Sequence, residues 1–74
     1  MSRIPIKFTF RGKELEGEYE VEGKGREGPH TPVATYFRGC RKATQRGADT
    51  IETTAIRQLR ETAHQIEAGL LTPS

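Results

Sequence analysis

The side chains able to do covalent or metal chemistry in this 74-residue chain are one cysteine, Cys40, and two histidines, His30 and His64. Arg38 and Arg41 lie close to Cys40, and cations beside a thiol raise its reactivity. A nucleophilic cysteine also needs a histidine base in hydrogen-bond reach. His30 and His64 fall in a predicted loop and a predicted helix, with no local partner. No C-x-x-C or H-x-x-x-H spacing offers ligands to a metal. Gly23-Lys24-Gly25-Arg26-Glu27-Gly28 reproduces the glycine spacing of a dinucleotide fingerprint. That motif works by delivering pyrophosphate to a helix N-terminus inside a βαβ unit, whereas here Pro29 and Pro32 lead into another strand. The expectation is no catalytic residue, no metal and no cofactor. With 32% apolar residues, the chain is not expected to wall a deep pocket of the several hundred Å³ usual for an enzyme, so neither an enzyme nor a small-molecule substrate is expected.

Binding chemistry is better supplied. The net charge of +2 conceals an uneven distribution. Residues 1–27 carry six basic and six acidic groups, residues 28–48 carry four basic groups and no acid, and residues 49–74 carry two basic and four acidic groups. The acid-free segment holds Arg38, Arg41, Lys42 and Arg46, with Thr35, Tyr36, Phe37 and Thr44 interleaved. On a two-stranded ribbon this combination suits nucleic-acid phosphates, and DNA or RNA is the ligand class it suggests. Tyr36 joins the four cations as a candidate contact, and Lys24 and Arg26 in the preceding loop are secondary ones. The alternative is a protein-interaction module or small homodimer, in which the same charges blunt an exposed sheet edge and an outer strand pairs with another chain.

The elements that would carry these residues follow from periodicity. Glu14, Glu16, Glu18, Glu20 and Glu22 occupy every second position, alternating with Leu15, Gly17, Tyr19 and Val21. A period of two is a strand wet on one face. Ile4, Ile6, Phe8 and Phe10 alternate with Arg3, Lys7, Thr9 and Arg11. A hairpin through Gly12-Lys13, glycine first as a type II′ turn requires, sets Arg11 opposite Glu14, Thr9 opposite Glu16, Lys7 opposite Glu18 and Arg3 opposite Glu22. In that register Gly17 lies inward, opposite Phe8. The glutamate row would repel phosphate, so this hairpin is expected to face away from a nucleic acid.

Residues 23–32, with their glycines and prolines, read as a flexible loop. Val33–Phe37 and Arg41–Gln45 form a second predicted hairpin within residues 33–46, and Phe37-Arg38-Gly39 repeats Phe10-Arg11-Gly12. Its loop is either Arg38-Gly39, pairing Tyr36 with Arg41, or Gly39-Cys40, pairing Phe37 with Lys42; the choice decides which aromatic is buried. From Asp49 the period becomes helical, with Ile51, Ala55, Ile56, Leu59, Ala63, Ile66 and Leu70 on one face. Asp49 as N-cap with Glu52 makes a capping box, Gly69 suits the left-handed position after the helix, and Pro73 prevents continuation. Residues 49–69 therefore form the helical segment, with Leu59 and Ile56 central to the core, and residues 70–74 form a tail.

The predicted architecture is one small α+β domain over residues 1–74, ordered ββββα or βββα, with residues 1–22 as the first hairpin and the helix packed on the sheet's apolar face. A core this small is marginal without disulfides or metal. With one cysteine, no secretory h-region and no apolar run near the ~20 residues of a membrane span, a soluble cytoplasmic protein is expected.

Overall fold

The structure, a computed structural model, describes residues 3–22, 28 and 30–73. It follows the ββββα order: β1 (Ile4–Phe10), β2 (Lys13–Val21), β3 (Pro32–Phe37), β4 (Cys40–Gln45) and α1 (Ile51–Glu67). The strands form one antiparallel sheet in the order β1-β2-β3-β4, and α1 packs on one face.

Both hairpins close with the same two-residue turn. Arg11 and Gly12 have φ of 52° and 75°, and Arg38 and Gly39 have φ of 50° and 81°. Positive φ at both loop residues is the type I′ geometry, whose twist matches that of the flanking strands. The repeated Phe-Arg-Gly tripeptide thus makes the same turn twice. This corrects the Gly12-Lys13 loop: Phe10 faces Lys13, Thr9 faces Glu14, Lys7 faces Glu16 and Pro5 faces Glu18. The partner slides by two residues, which preserves the faces while changing every pair. Arg11 pairs with Glu67 of the helix at 2.8 Å instead of Glu14. Arg3 reaches Glu18 at 3.8 Å instead of Glu22, and Lys7 reaches Glu14 at 3.7 Å. In the second hairpin the Arg38-Gly39 loop holds, Tyr36 faces Arg41, and Phe37 enters the core.

The core centres on Phe8, Phe37, Leu59 and Ala63, with Ile6, Phe10, Leu15, Ile56 and Ile66 around them. Phe8 and Phe37 meet edge to face, with centroids 5.4 Å apart at 77°. Gly17 faces Ile6, not Phe8, and the group that uses its missing side chain is Leu59: a Cβ at Gly17 would lie 2.7 Å from Leu59 Cδ2.

The helix cap moves by one residue. Thr50 is the N-cap and its Oγ1 accepts from the Thr53 amide at 3.1 Å, while Asp49 pairs with the Arg57 guanidinium. Glu52 therefore sits in the first turn, where it favours the helix dipole, and does not complete a capping box. At the other end Gly69 has φ 79°. The Leu70 amide donates to the Gln65 carbonyl at 2.8 Å and the Gly69 amide to Ile66 at 3.1 Å, the Schellman pattern. The buried face is Thr54, Ala55, Gln58, Leu59, Thr62 and Ala63. The expected stripe is rotated accordingly: Leu59 is fully buried, Ile51, Ile56 and Ile66 are half-buried, and Leu70 is exposed.

Candidate binding site at the turn end of the sheet

Strand alternation distributes the basic run of the second hairpin over different surfaces. Arg41 lies on the open face of the sheet, paired with Glu22. Its pKa is raised above the ordinary value, first by hydrogen bonding with the Tyr36 side chain and then by the Glu22 carboxylate. Tyr36 shares that face: its hydroxyl donates to Glu20 Oε1 at 3.1 Å, and the Arg3 guanidinium stacks 3.7 Å above its ring. Lys42 points the other way and donates to Glu61 at 2.7 Å and Gln65 at 3.0 Å on α1. Arg46 donates from Nε to the Gly28 carbonyl at 3.2 Å and from a terminal nitrogen to the Asp49 carbonyl at 2.8 Å, so it pins loop backbone. Arg38 is exposed at the turn, 5.0 Å over the Phe37 ring. Lys24 and Arg26 lie outside the described residues.

The open face does not suit phosphate. The β1–β2, β2–β3 and β3–β4 registers place Glu14, Glu16, Glu18, Glu20 and Glu22 there against Arg3, Lys7 and Arg41, five carboxylates to three cations among the described residues.

The antiparallel order brings both Phe-Arg-Gly turns to one end of the sheet, beside the last turns of α1. Between them is a cleft of about 300 Å³. Phe10, Leu15, Phe37, Ala63 and Ile66 form its apolar floor, and Arg11, Lys13, Arg38 and Glu67 its rim. Glu67 is taken by Arg11. Among the described residues, neither Lys13 nor Arg38 has a carboxylate in ion-pair range. Arg11 lies 5.4 Å over the Phe10 ring, as Arg38 lies over Phe37, so each turn presents a guanidinium backed by an aromatic ring. Of the candidate contacts among the described residues, only Arg38 belongs to this cluster. Arg11 and Lys13 were hidden in the charge-balanced first segment. The repeated tripeptide was the available signal, since the turns of two consecutive hairpins in an antiparallel meander are separated by two strands and so lie at the same end of the sheet.

A second cleft of about 490 Å³ runs between β4 and α1, past Lys42, Thr44, Arg57, Gln58 and Glu61. Long charged side chains supply much of the rims of both clefts. Cys40 donates to the Thr72 carbonyl at 3.6 Å, and His30 hydrogen-bonds Gln45 at 3.3 Å. Among the described residues no three His, Cys, Asp or Glu side chains converge as metal ligands, and no helix is long and apolar enough to cross a membrane. Comparison with family models, curated proteins and solved structures finds no match for the chain.

Proposed function

We propose that the chain is a non-enzymatic binding module whose turn end contacts nucleic-acid phosphates, with Arg38, Arg11 and Lys13 as the contacting groups. The supporting observation is three cations against one carboxylate on the rim of the cleft between the hairpin turns. Guanidinium and ammonium groups are the donors that hold phosphates as positioning contacts, without reading sequence. Arg41, Lys42 and Arg46, engaged with Glu22, Glu61 and backbone carbonyls, play a structural part in this reading. The anionic open face keeps the nucleic acid at the turn end. A cytoplasmic setting belongs to the same proposal, since a lone thiol such as Cys40 persists there in reduced form.

The test is titration of labelled mixed-sequence DNA and RNA, single- and double-stranded, at rising salt. Three phosphate contacts predict a slope of log K against log salt of about −2 to −3. Lys13→Ala combined with Arg38→Ala is expected to weaken binding across all sequences and flatten the slope by up to about two. Arg57→Ala, which removes one positive charge on the helix away from the turn end, is the control, expected to change little. Equal losses at both sites, or no binding by the parent chain at low salt, would refute the reading.

A further inference from the structure

The outer strands of an open sheet point half of their backbone groups away from it. In a two-residue hairpin the pair flanking the turn is hydrogen-bonded, and bonded and non-bonded pairs alternate from there. Phe10 and Lys13 flank the first turn, so the outward groups of β1 belong to Thr9, Lys7 and Pro5. Phe37 and Cys40 flank the second, so those of β4 belong to Arg41, Ala43 and Gln45. Two hydrogen bonds agree with this phase. Arg60 Nε donates to the outward Thr9 carbonyl at 2.9 Å, and Thr35 Oγ1 donates to the inward Lys42 carbonyl at 3.3 Å.

The two edges are treated differently. On β1, Pro5 has no amide to offer, the Arg60 guanidinium occupies the Thr9 carbonyl, and Lys7 places a charge between them. On β4, no hydrogen bond among the described residues reaches the outward backbone groups of Arg41, Ala43 or Gln45, and all three residues are exposed.

We propose that β4 is the docking edge for a second copy of this chain, paired antiparallel about a two-fold axis at Ala43. That register sets Ala43 against Ala43, Arg41 against Gln45 and Lys42 against Thr44 of the second copy. It uses all three outward residues of each strand, about six hydrogen bonds, and no like charges meet. Moving the axis to Lys42 opposes two lysines, and moving it to Thr44 opposes Lys42 and Arg46; each loses one of the three pairs. The strand is therefore complementary to itself in one register, which favours a second copy over an unrelated peptide. The small Ala43 side chains allow close approach at the axis. The cleft between β4 and α1 leaves room for the second copy's Thr44 side chain, while each Lys42 keeps its own bonds to Glu61 and Gln65. The union would be an eight-stranded sheet with the β1 edges outermost.

Sedimentation from micromolar to millimolar protein is expected to show a monomer–dimer equilibrium. Ala43→Pro deletes the outward amide without touching the β3 ladder, and Ala43→Lys opposes two charges at the axis. Each is expected to raise the dissociation constant about tenfold or more, with circular dichroism unchanged. Ala43→Cys in a Cys40→Ser background is expected to form an intermolecular disulfide under mild oxidation, since hydrogen-bonded antiparallel pairs have Cα atoms about 5.5 Å apart. A parent monomeric at millimolar concentration, or dimerisation insensitive to both Ala43 changes with no cross-link, would overturn the proposal. These substitutions leave Arg11, Lys13 and Arg38 intact, so this proposal and the nucleic-acid reading can fail separately.

Discussion

The two hairpins share one turn and differ in nearly everything else. In the first, β2 carries a carboxylate at every open-face position, and cations from β1 and β4 answer some of them. In the second, β3 contributes Val33, Ala34, Thr35 and Phe37, all buried, while β4 is almost wholly exposed. Phe-Arg-Gly dictates the path of the chain over four residues. What lies to either side is dictated by place in the sheet: β3 is crossed by the helix and flanked by strands on both sides, and β4 has a neighbour on one side alone. Local chemistry therefore sets the turn and tertiary neighbours set the burial.

The largest expected effect probes the helix that spans both hairpins. Leu59→Ala is expected to cost about 2 to 5 kcal/mol, enough to unfold a domain this small, whereas half-buried Ile56→Ala should cost about 1 to 2 kcal/mol; thermal unfolding by circular dichroism ranks them. Next, Gly17→Ala places a methyl against Leu59 and is expected to cost about 1 to 3 kcal/mol. Combined with Leu59→Ala it should cost less than the sum of the two, since the clash disappears; strict additivity would mean that the two positions do not touch. Gly12→Ala and Gly39→Ala each force an alanine to positive φ and should each cost about 1 kcal/mol. Unequal losses would show that the turns are less alike than their dihedrals. Thr62→Val, which removes a buried hydroxyl with no partner among the described residues, is expected to stabilise by about 1 kcal/mol. The smallest effect tests register: Lys7→Glu should cost about 0.5 kcal/mol, and Glu16→Lys should restore more of it than Glu18→Lys does.

Much of the fold was legible because strand and helix periods are properties of the chain itself. The glutamate row, the helix span and the Gly69 stop each signal within a few residues. The first register was misjudged because a two-residue slide keeps the faces and leaves the hydrophobic pattern satisfied either way. The turn residue that distinguished them, Arg11 at positive φ, is one that turn preferences disfavour. The helix face is rotated because its buried side includes three polar residues, Thr54, Gln58 and Thr62, that no apolar stripe reveals: Gln58 Nε2 donates to the Val33 carbonyl at 3.0 Å, Thr54 Oγ1 donates to the Thr50 carbonyl at 2.8 Å, and Thr62 is buried with its hydroxyl unpartnered among the described residues. A charge count along the chain does not reveal the turn-end cluster, because Arg11, Lys13 and Arg38 meet only in space.

The notch at Gly17 has a consequence for how the chain reaches this state. Leu59 fits where β2 offers no side chain, and a two-residue slip of the hairpin would present Leu15 or Tyr19 there instead. The helix can seat only on a correctly aligned hairpin, so its arrival serves as a proofreading step: misregistered hairpins are denied the core contacts and left free to reopen. All-or-none folding is the expected result despite the local character of each hairpin, and a larger residue at position 17 is expected to slow helix docking as well as lower stability.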